Sequence, residues 1–177
     1  MKYWVQPRDR RASTMQALSA EIAAAAVPLM DRNVGEEARG IYLATGDAGV
    51  DVSVGFWAMA LAETPRFANP AGFPWTLANA PASLLARELR IRGPNYTLVG
   101  GADAMLAALE HAEDDLALGN VAEALVVGCD LGVRPSRVQA AAAVLLQGPG
   151  LRIPERALGA DDAAGCLEQI LSAAQPE

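Results

Sequence analysis

A chain of 177 residues with a 52% apolar fraction is sized for one domain around a single buried core. Its 14 basic and 21 acidic residues leave a net charge of −7, a surface that phosphate backbones repel. The Arg8, Arg10 and Arg11 cluster makes no basic stripe to override it, so nucleic-acid binding is not expected. Aromatic residues are only 5% while alanine abounds, a composition suited to helices packed closely through small side chains.

Taken in chain order, Ser13 or Thr14 caps a predicted helix that runs to about Met30 and ends before Asn33 and Gly35. The apolar stretch Ile22–Met30 behind the arginines imitates a secretory leader, but Glu21 and Pro28 interrupt it, so an amphipathic helix is expected. Arg39–Thr45 (RGIYLAT) reads as a buried strand, and Gly46-Asp47-Ala48-Gly49 as a turn. Asp51–Glu63 reads as a helix, and the proline-rich stretch Pro65–Pro74 as a loop. Pro81–Leu89 is expected to be helical, stopping at Gly93-Pro94, with a short strand at Tyr96–Val99. A helix from about Ala102 to Leu118 closes on Gly119. Ala124–Gly128 and Val138–Leu146 complete the predicted strands, and Asp161–Ala174 forms a terminal helix. The alternation predicts an α/β chain with a mixed sheet flanked by helices, spanning 1–150, and a tail at 151–177 that carries one helix. No run is long and apolar enough to span a membrane.

None of the familiar catalytic patterns is complete. Gly100-Gly101 lacks the G-x-G-x-x-G spacing, and Thr45-Gly46-Asp47-Ala48-Gly49 lacks a phosphate-loop lysine. His111, the only histidine, sits mid-helix beside Glu110 and Glu113, where a structural role is the default. Cys129 ends an apolar strand and Cys166 lies in the tail helix. Neither belongs to a CxxC, so no metal site, disulfide or cofactor is expected, and a reducing cytoplasm fits. The acidic pairs Asp114-Asp115 and Asp161-Asp162 sit at helix ends, where solvation is usual.

One series of segments is more specific. Asn69-Pro70-Ala71-Gly72-Phe73-Pro74, Asn79-Ala80-Pro81-Ala82 and Leu89-Arg90-Ile91-Arg92-Gly93-Pro94-Asn95 follow one another, then a short strand, a glycine pair, a helix and Ala124-Leu125-Val126-Val127-Gly128. In order and spacing these resemble the N-terminal half of the β-ketoacyl synthases, enzymes of the thiolase-like fold, over about residues 8–147. The Arg10-Arg11 helix, Gly40–Gly49 and Val138–Leu146 are similar to that family's elements on either side.

The resemblance implies that the family's catalytic cysteine position falls on Ala102, counting from Gly93-Pro94. A methyl group cannot attack a thioester, and the family's two assisting histidines belong to a C-terminal half outside the matched region. A non-catalytic subunit is therefore expected, akin to a chain length factor that pairs with an active synthase and shapes acyl-chain binding in fatty-acid or polyketide biosynthesis. Its partner would be a full-length ketosynthase or a second copy, with acyl carrier protein reached through that partner, and neither membrane nor nucleic acid involved. Pairing would run through Tyr96, Thr97, Leu98 and Val99 and the start of the Ala102 helix, with a possible pocket at Phe73, Asn79 and Met105. A stand-alone homodimeric scaffold and an unrelated small-molecule enzyme around Cys129 or His111 are the alternatives. The family's first strand, central in its sheet, has only Lys2–Val5 as a candidate here. Either that segment substitutes, or the sheet is rearranged, or a neighbour fills the gap, because an open central position would leave N–H and C=O groups unpaired.

Overall fold

The computed structural model describes residues 2–7, 12–62, 66, 70–131, 139–151 and 162–173. The Arg8–Arg11 cluster, Pro65, Asn69, Val138 and Asp161 lie outside the described residues. Among the described residues five strands, β1 (Lys2–Val5), β2 (Arg39–Thr45), β3 (Asn95–Val99), β4 (Glu123–Asp130) and β5 (Ala140–Leu146), are interspersed with five α-helices. These are α1 (Met15–Ala26), α2 (Val50–Ala62), α3 (Ala80–Leu89), α4 (Ala102–Ala117) and α5 (Ala163–Ala173). The α/β reading and its mixed sheet hold, and each expected element lies within a few residues of its predicted bounds.

Local chemistry sets several boundaries. Thr14 Oγ1 accepts the Ala17 N–H at 3.1 Å, capping α1. Gly119 takes a φ of 73° beyond α4, the left-handed closure that its position predicted. The stretch expected to be loop behaves differently: Pro70–Thr76 winds into a 3-10 turn with Pro74 inside it. Proline there is tolerated because a short turn has few ladder bonds to lose.

Strand order across the sheet is β1-β5-β4-β2-β3, with β3, β2 and β4 parallel and β5 antiparallel to β4. The sheet is rearranged relative to the expectation. Lys2–Val5 does not take the central position. It pairs with β5 at the outer edge, and β2 lies directly against β4. Direct pairing leaves no open ladder in the middle, which resolves the unsatisfied-backbone problem without a neighbour.

All seven residues of β2 and all eight of β4 are buried, as in a sheet covered on both faces. Ile41, Leu43, Leu125 and Val127 face α1 and α3, while Tyr42, Ala44, Ala124 and Val126 face α4 and α5. Helix α5 belongs to this second core through Cys166, Leu167, Ile170 and Leu171, so the expected tail helix is a structural part of the domain. Gly128 makes that approach possible, since a Cβ there would sit 2.8 Å from the Ala163 carbonyl oxygen. At the entry to β2 and β4, the register partners Arg39 and Glu123 form a buried ion pair at 3.0 Å. Glu123 also accepts from the Asp31 N–H and the Gln147 amide, and Arg39 donates to the Asp31 carbonyl. Among the described residues no helix is long and apolar enough to cross a membrane.

Candidate functional site

The C-terminal ends of β2, β3 and β4 meet at one edge of the sheet, where parallel strands of an α/β layer present their loops. Here β3 runs through Gly100-Gly101 into α4. The Gly100 N–H donates to the Thr45 carbonyl at 2.9 Å, tying the turn to the end of β2. Ala102 is the first helical residue, and Gly101 before it supplies no side-chain cap. Free N–H groups and the positive end of the helix dipole gather at such a terminus. The side chain standing there is a methyl that is only 7% exposed and packs into the α4–α5 core.

Beside this turn two aspartates staple the neighbouring strand ends. Asp130 Oδ1 accepts the Gly46 N–H at 2.6 Å and Oδ2 accepts the Ala163 N–H at 3.1 Å, while Asp47 Oδ1 accepts the Leu131 N–H at 2.8 Å. Each loop is thus held by the acid of the other. Burial pushes the Asp130 carboxyl up to about 6; Asp47 and Asp162 add to this, and the Gly46 and Ala163 N–H groups oppose it. Relative to the unfolded chain, folding therefore disfavours the ionised carboxyl. The stability that goes with the protonated form is complete below about pH 4 and is lost as pH rises through about 6, a difference of roughly 3 kcal/mol. In urea melts, the loss of stability between pH 4 and 7 should shrink by about that amount in Asp130→Asn. An unchanged profile would refute the assignment.

The cysteines are poor nucleophiles. Burial, then Asp130 and Asp47, hold the Cys129 thiol well above its ordinary value. Burial, then Asp103 and Asp162, raise that of Cys166. No group of three or more His, Cys, Asp or Glu side chains is placed to hold a metal ion among the described residues.

The expected interface segment is an edge. β3 has β2 on one side and no strand on the other among the described residues. The Ile41 N–H donates to the Pro94 carbonyl and the Gly100 N–H to that of Thr45, so Pro94 and Gly100 bond inward. By the two-residue alternation of a parallel ladder, Asn95, Thr97 and Val99 turn their N–H and C=O groups outward. Val99 is 66% and Tyr96 42% exposed, whereas Leu98 packs partly against the α4–α5 core. Thr97 and Leu98 are half-buried.

Sequence reasoning missed what holds Tyr96. Its ring is stacked between Tyr42, at 5.6 Å, and His111, at 5.3 Å and 10° from parallel. The Tyr42 hydroxyl donates to Asp115 at 2.6 Å, and Asp115 also accepts from Asn120. Asp115 thus departs from the solvated role expected of it. A histidine one helical layer behind an edge-strand tyrosine was the available signal, but only the strand's placement makes it meaningful.

Of the three residues expected to share a pocket, Met105 lies apart from Asn79. Met105 is fully buried in the α4–α5 core, and Asn79 lines an open groove of about 420 Å³ with Gln16, Trp75 and Ser83. Phe73 is 54% exposed and packs on Phe56 of α2. The motif residues Asn79 and Met105 serve opposite faces of the sheet.

No protein-family model matches the chain, and no curated protein matches it. Solved structures do. One, described as the ishigamide ketosynthase/chain length factor, superposes at a TM-score of 0.63 and 17% identity, over 85% of this chain and 47% of that one. The fold is that of the ketosynthases and chain length factors. A ketosynthase solved with its type II polyketide acyl-carrier protein (AntDE:AntF) matches at 0.62 and 13% identity, over 80% and 44% of the two chains. The ketosynthase ApeO in complex with its chain length factor ApeC, from Xenorhabdus doucetiae, gives 0.57 and 15% identity, over 80% and 59%. The chain spans about half the length of these ketosynthase-like structures. In this ketosynthase-like frame the β3–Gly100-Gly101–α4 turn is intact, and alanine occupies the start of its helix.

Proposed function

We propose that this chain is a non-catalytic ketosynthase-like subunit that pairs with an active β-ketoacyl synthase and helps shape acyl-chain binding in polyketide or fatty-acid-type biosynthesis. The observation that carries the reading is Ala102 at the first position of α4, directly after the glycine pair, in a ketosynthase and chain length factor fold. The terminus that would stabilise a thiolate there holds a buried methyl group instead. The edge strand supports the pairing, with Tyr96, Thr97, Leu98, Val99 and the start of the Ala102 helix as the contact and a full-length ketosynthase as the partner, in the cytoplasm. Acyl carrier protein would then act through that partner.

Three experiments test this. Incubated with acyl-carrier protein thioester or acyl-CoA, the purified chain should carry no acyl group by mass spectrometry. A stable adduct on Cys129 or Cys166 would overturn the non-catalytic assignment. Ala102→Cys alone should restore no condensation, because a thiolate without acid–base partners does not complete the reaction. Expressed with a ketosynthase from its native host, the chain should co-purify as a stoichiometric complex. Recovery as a lone homodimer would instead favour a scaffold.

A further inference from the structure

Helix α3 borders a furrow that joins two kinds of surface. Its first part is apolar: a hollow of about 420 Å³ is lined by Trp75, Leu77 and Leu84, with Gln16 and Ser83 beside them. A second hollow, of about 430 Å³, lies between α1 and α3 against Ala20, Ala24, Val27 and Leu84. A third, of about 480 Å³, lies at the end of α3 against Arg87, Arg90, Arg92 and Glu36. Arg87 lines all three, so they adjoin across one side chain. From Ala80 to Arg90 the path runs about 15 Å at the rise of an α-helix. The arginine end is built against local preference. Arg90 ends α3 at φ 52° and ψ 45°, the left-handed conformation that glycine adopts freely and other residues only at a cost. Glycine is the usual residue at such a helix end, and this chain places a cation there. Glu36 lies 3.9 Å from Arg90 and 3.7 Å from Arg92, ion-pair contacts too long for hydrogen bonds. Arg87 meets Glu88 at 2.8 Å on the exposed surface, a pair that water and salt weaken. Three guanidiniums against two carboxylates leave one positive charge, in a chain whose net charge is −7.

We infer that this furrow binds a medium-chain carboxylate, its alkyl chain in the apolar hollows and its head group on Arg90 and Arg92. Three features select that ligand. One surplus positive charge matches a monoanion, and a guanidinium offers its parallel N–H groups to the two oxygens of a carboxylate. Hollows of this size suit a small molecule, and their apolar walls give an alkyl chain water-free contact. Their combined reach along α3 is that of an extended decanoate. A polyanion is disfavoured, because Glu36, Glu88 and the acidic surface would repel its further charges. Helices α1 and α3 cover the face of the sheet opposite α4 and Ala102, so the inference does not rest on the ketosynthase pairing or on its acyl role.

The test uses decanoate at millimolar concentration, where it stays monomeric, and a reporter inside the furrow. Ser83 is exposed there while Cys129 and Cys166 are buried, so a maleimide should label only the new thiol of Ser83→Cys. Decanoate should slow that labelling about tenfold, as a ligand near ten times its Kd protects a site. Acetate, and decyltrimethylammonium with the same chain length and the opposite charge, should not slow it. Adding Arg90→Gln and Arg92→Gln should remove the protection. Both side chains are exposed, so circular dichroism should report an unchanged fold. Val54→Cys, at a position 64% exposed on α2, should label at one rate with and without decanoate. Protection by acetate would mean an arginine patch only, and protection by decyltrimethylammonium an apolar groove only. Protection that survives Arg90→Gln/Arg92→Gln, or that extends to Val54→Cys, would mean unspecific coating. Each of these results, or no protection by decanoate, would overturn the inference.

Discussion

Val99→Lys is expected to abolish pairing through the β3 edge, weakening it at least a hundredfold. Edge strands carry outward N–H and C=O groups ready to bond another chain, and a lysine on such an edge is a common natural block against pairing. Val99 suits this test because its side chain is 66% exposed and supports little of its own fold. Leu98→Lys would be ambiguous, because Leu98 packs partly on the α4–α5 core and a charge there would also loosen the monomer. Val99→Pro gives an independent arm. It deletes an outward N–H and leaves the inward Gly100–Thr45 bond in place. Light scattering, with and without the ketosynthase, reads the result. A wild type that stays unpaired with every candidate ketosynthase, or a Val99→Lys chain that pairs with the ketosynthase as well as wild type does, would defeat the β3 proposal.

Glu123→Ala is expected to cost about 3–5 kcal/mol, a large share of the 5–15 kcal/mol that holds a typical domain together. The substitution leaves the Arg39 guanidinium buried without its anion, at the point where β2 and β4 begin their direct pairing. The Asp31 N–H and the Gln147 amide lose their acceptor as well. The double variant Arg39→Met/Glu123→Leu should recover much of the loss, because apolar residues of similar volume can replace a buried pair. Urea midpoints of the three variants decide it. A cost under about 1 kcal/mol for Glu123→Ala would mean that water reaches the pair.

Much of the architecture was legible because local pattern carries it. Apolar runs of strand length, Thr14 as a cap, Gly119 as a stop and the glycine pair before Ala102 each act within a few residues of chain. The motif order from Pro70 to Gly128 then pointed to a ketosynthase-like layout, and the superposed structures share that fold. What resisted reading was non-local. Asp130 ends an apolar strand, but nothing within β4 says that its two oxygens will hold loops at Gly46 and Ala163. His111 lies fifteen positions from Tyr96 in the chain, and only the packing of α4 on β3 stacks their rings.

By itself, the sequence determined which segments are strands and helices and that alanine stands at the start of α4, since both follow from residue type and short-range spacing. Only the tertiary structure decided which strands are neighbours. Lys2–Val5 carries the same pattern at an edge as in the centre, and the choice falls to whichever arrangement pairs every buried backbone group, here β2 against β4. The same holds for α2. Its apolar composition is that of a core helix, and its exposure was settled by α1, α3, α4 and α5 already covering both faces of the sheet.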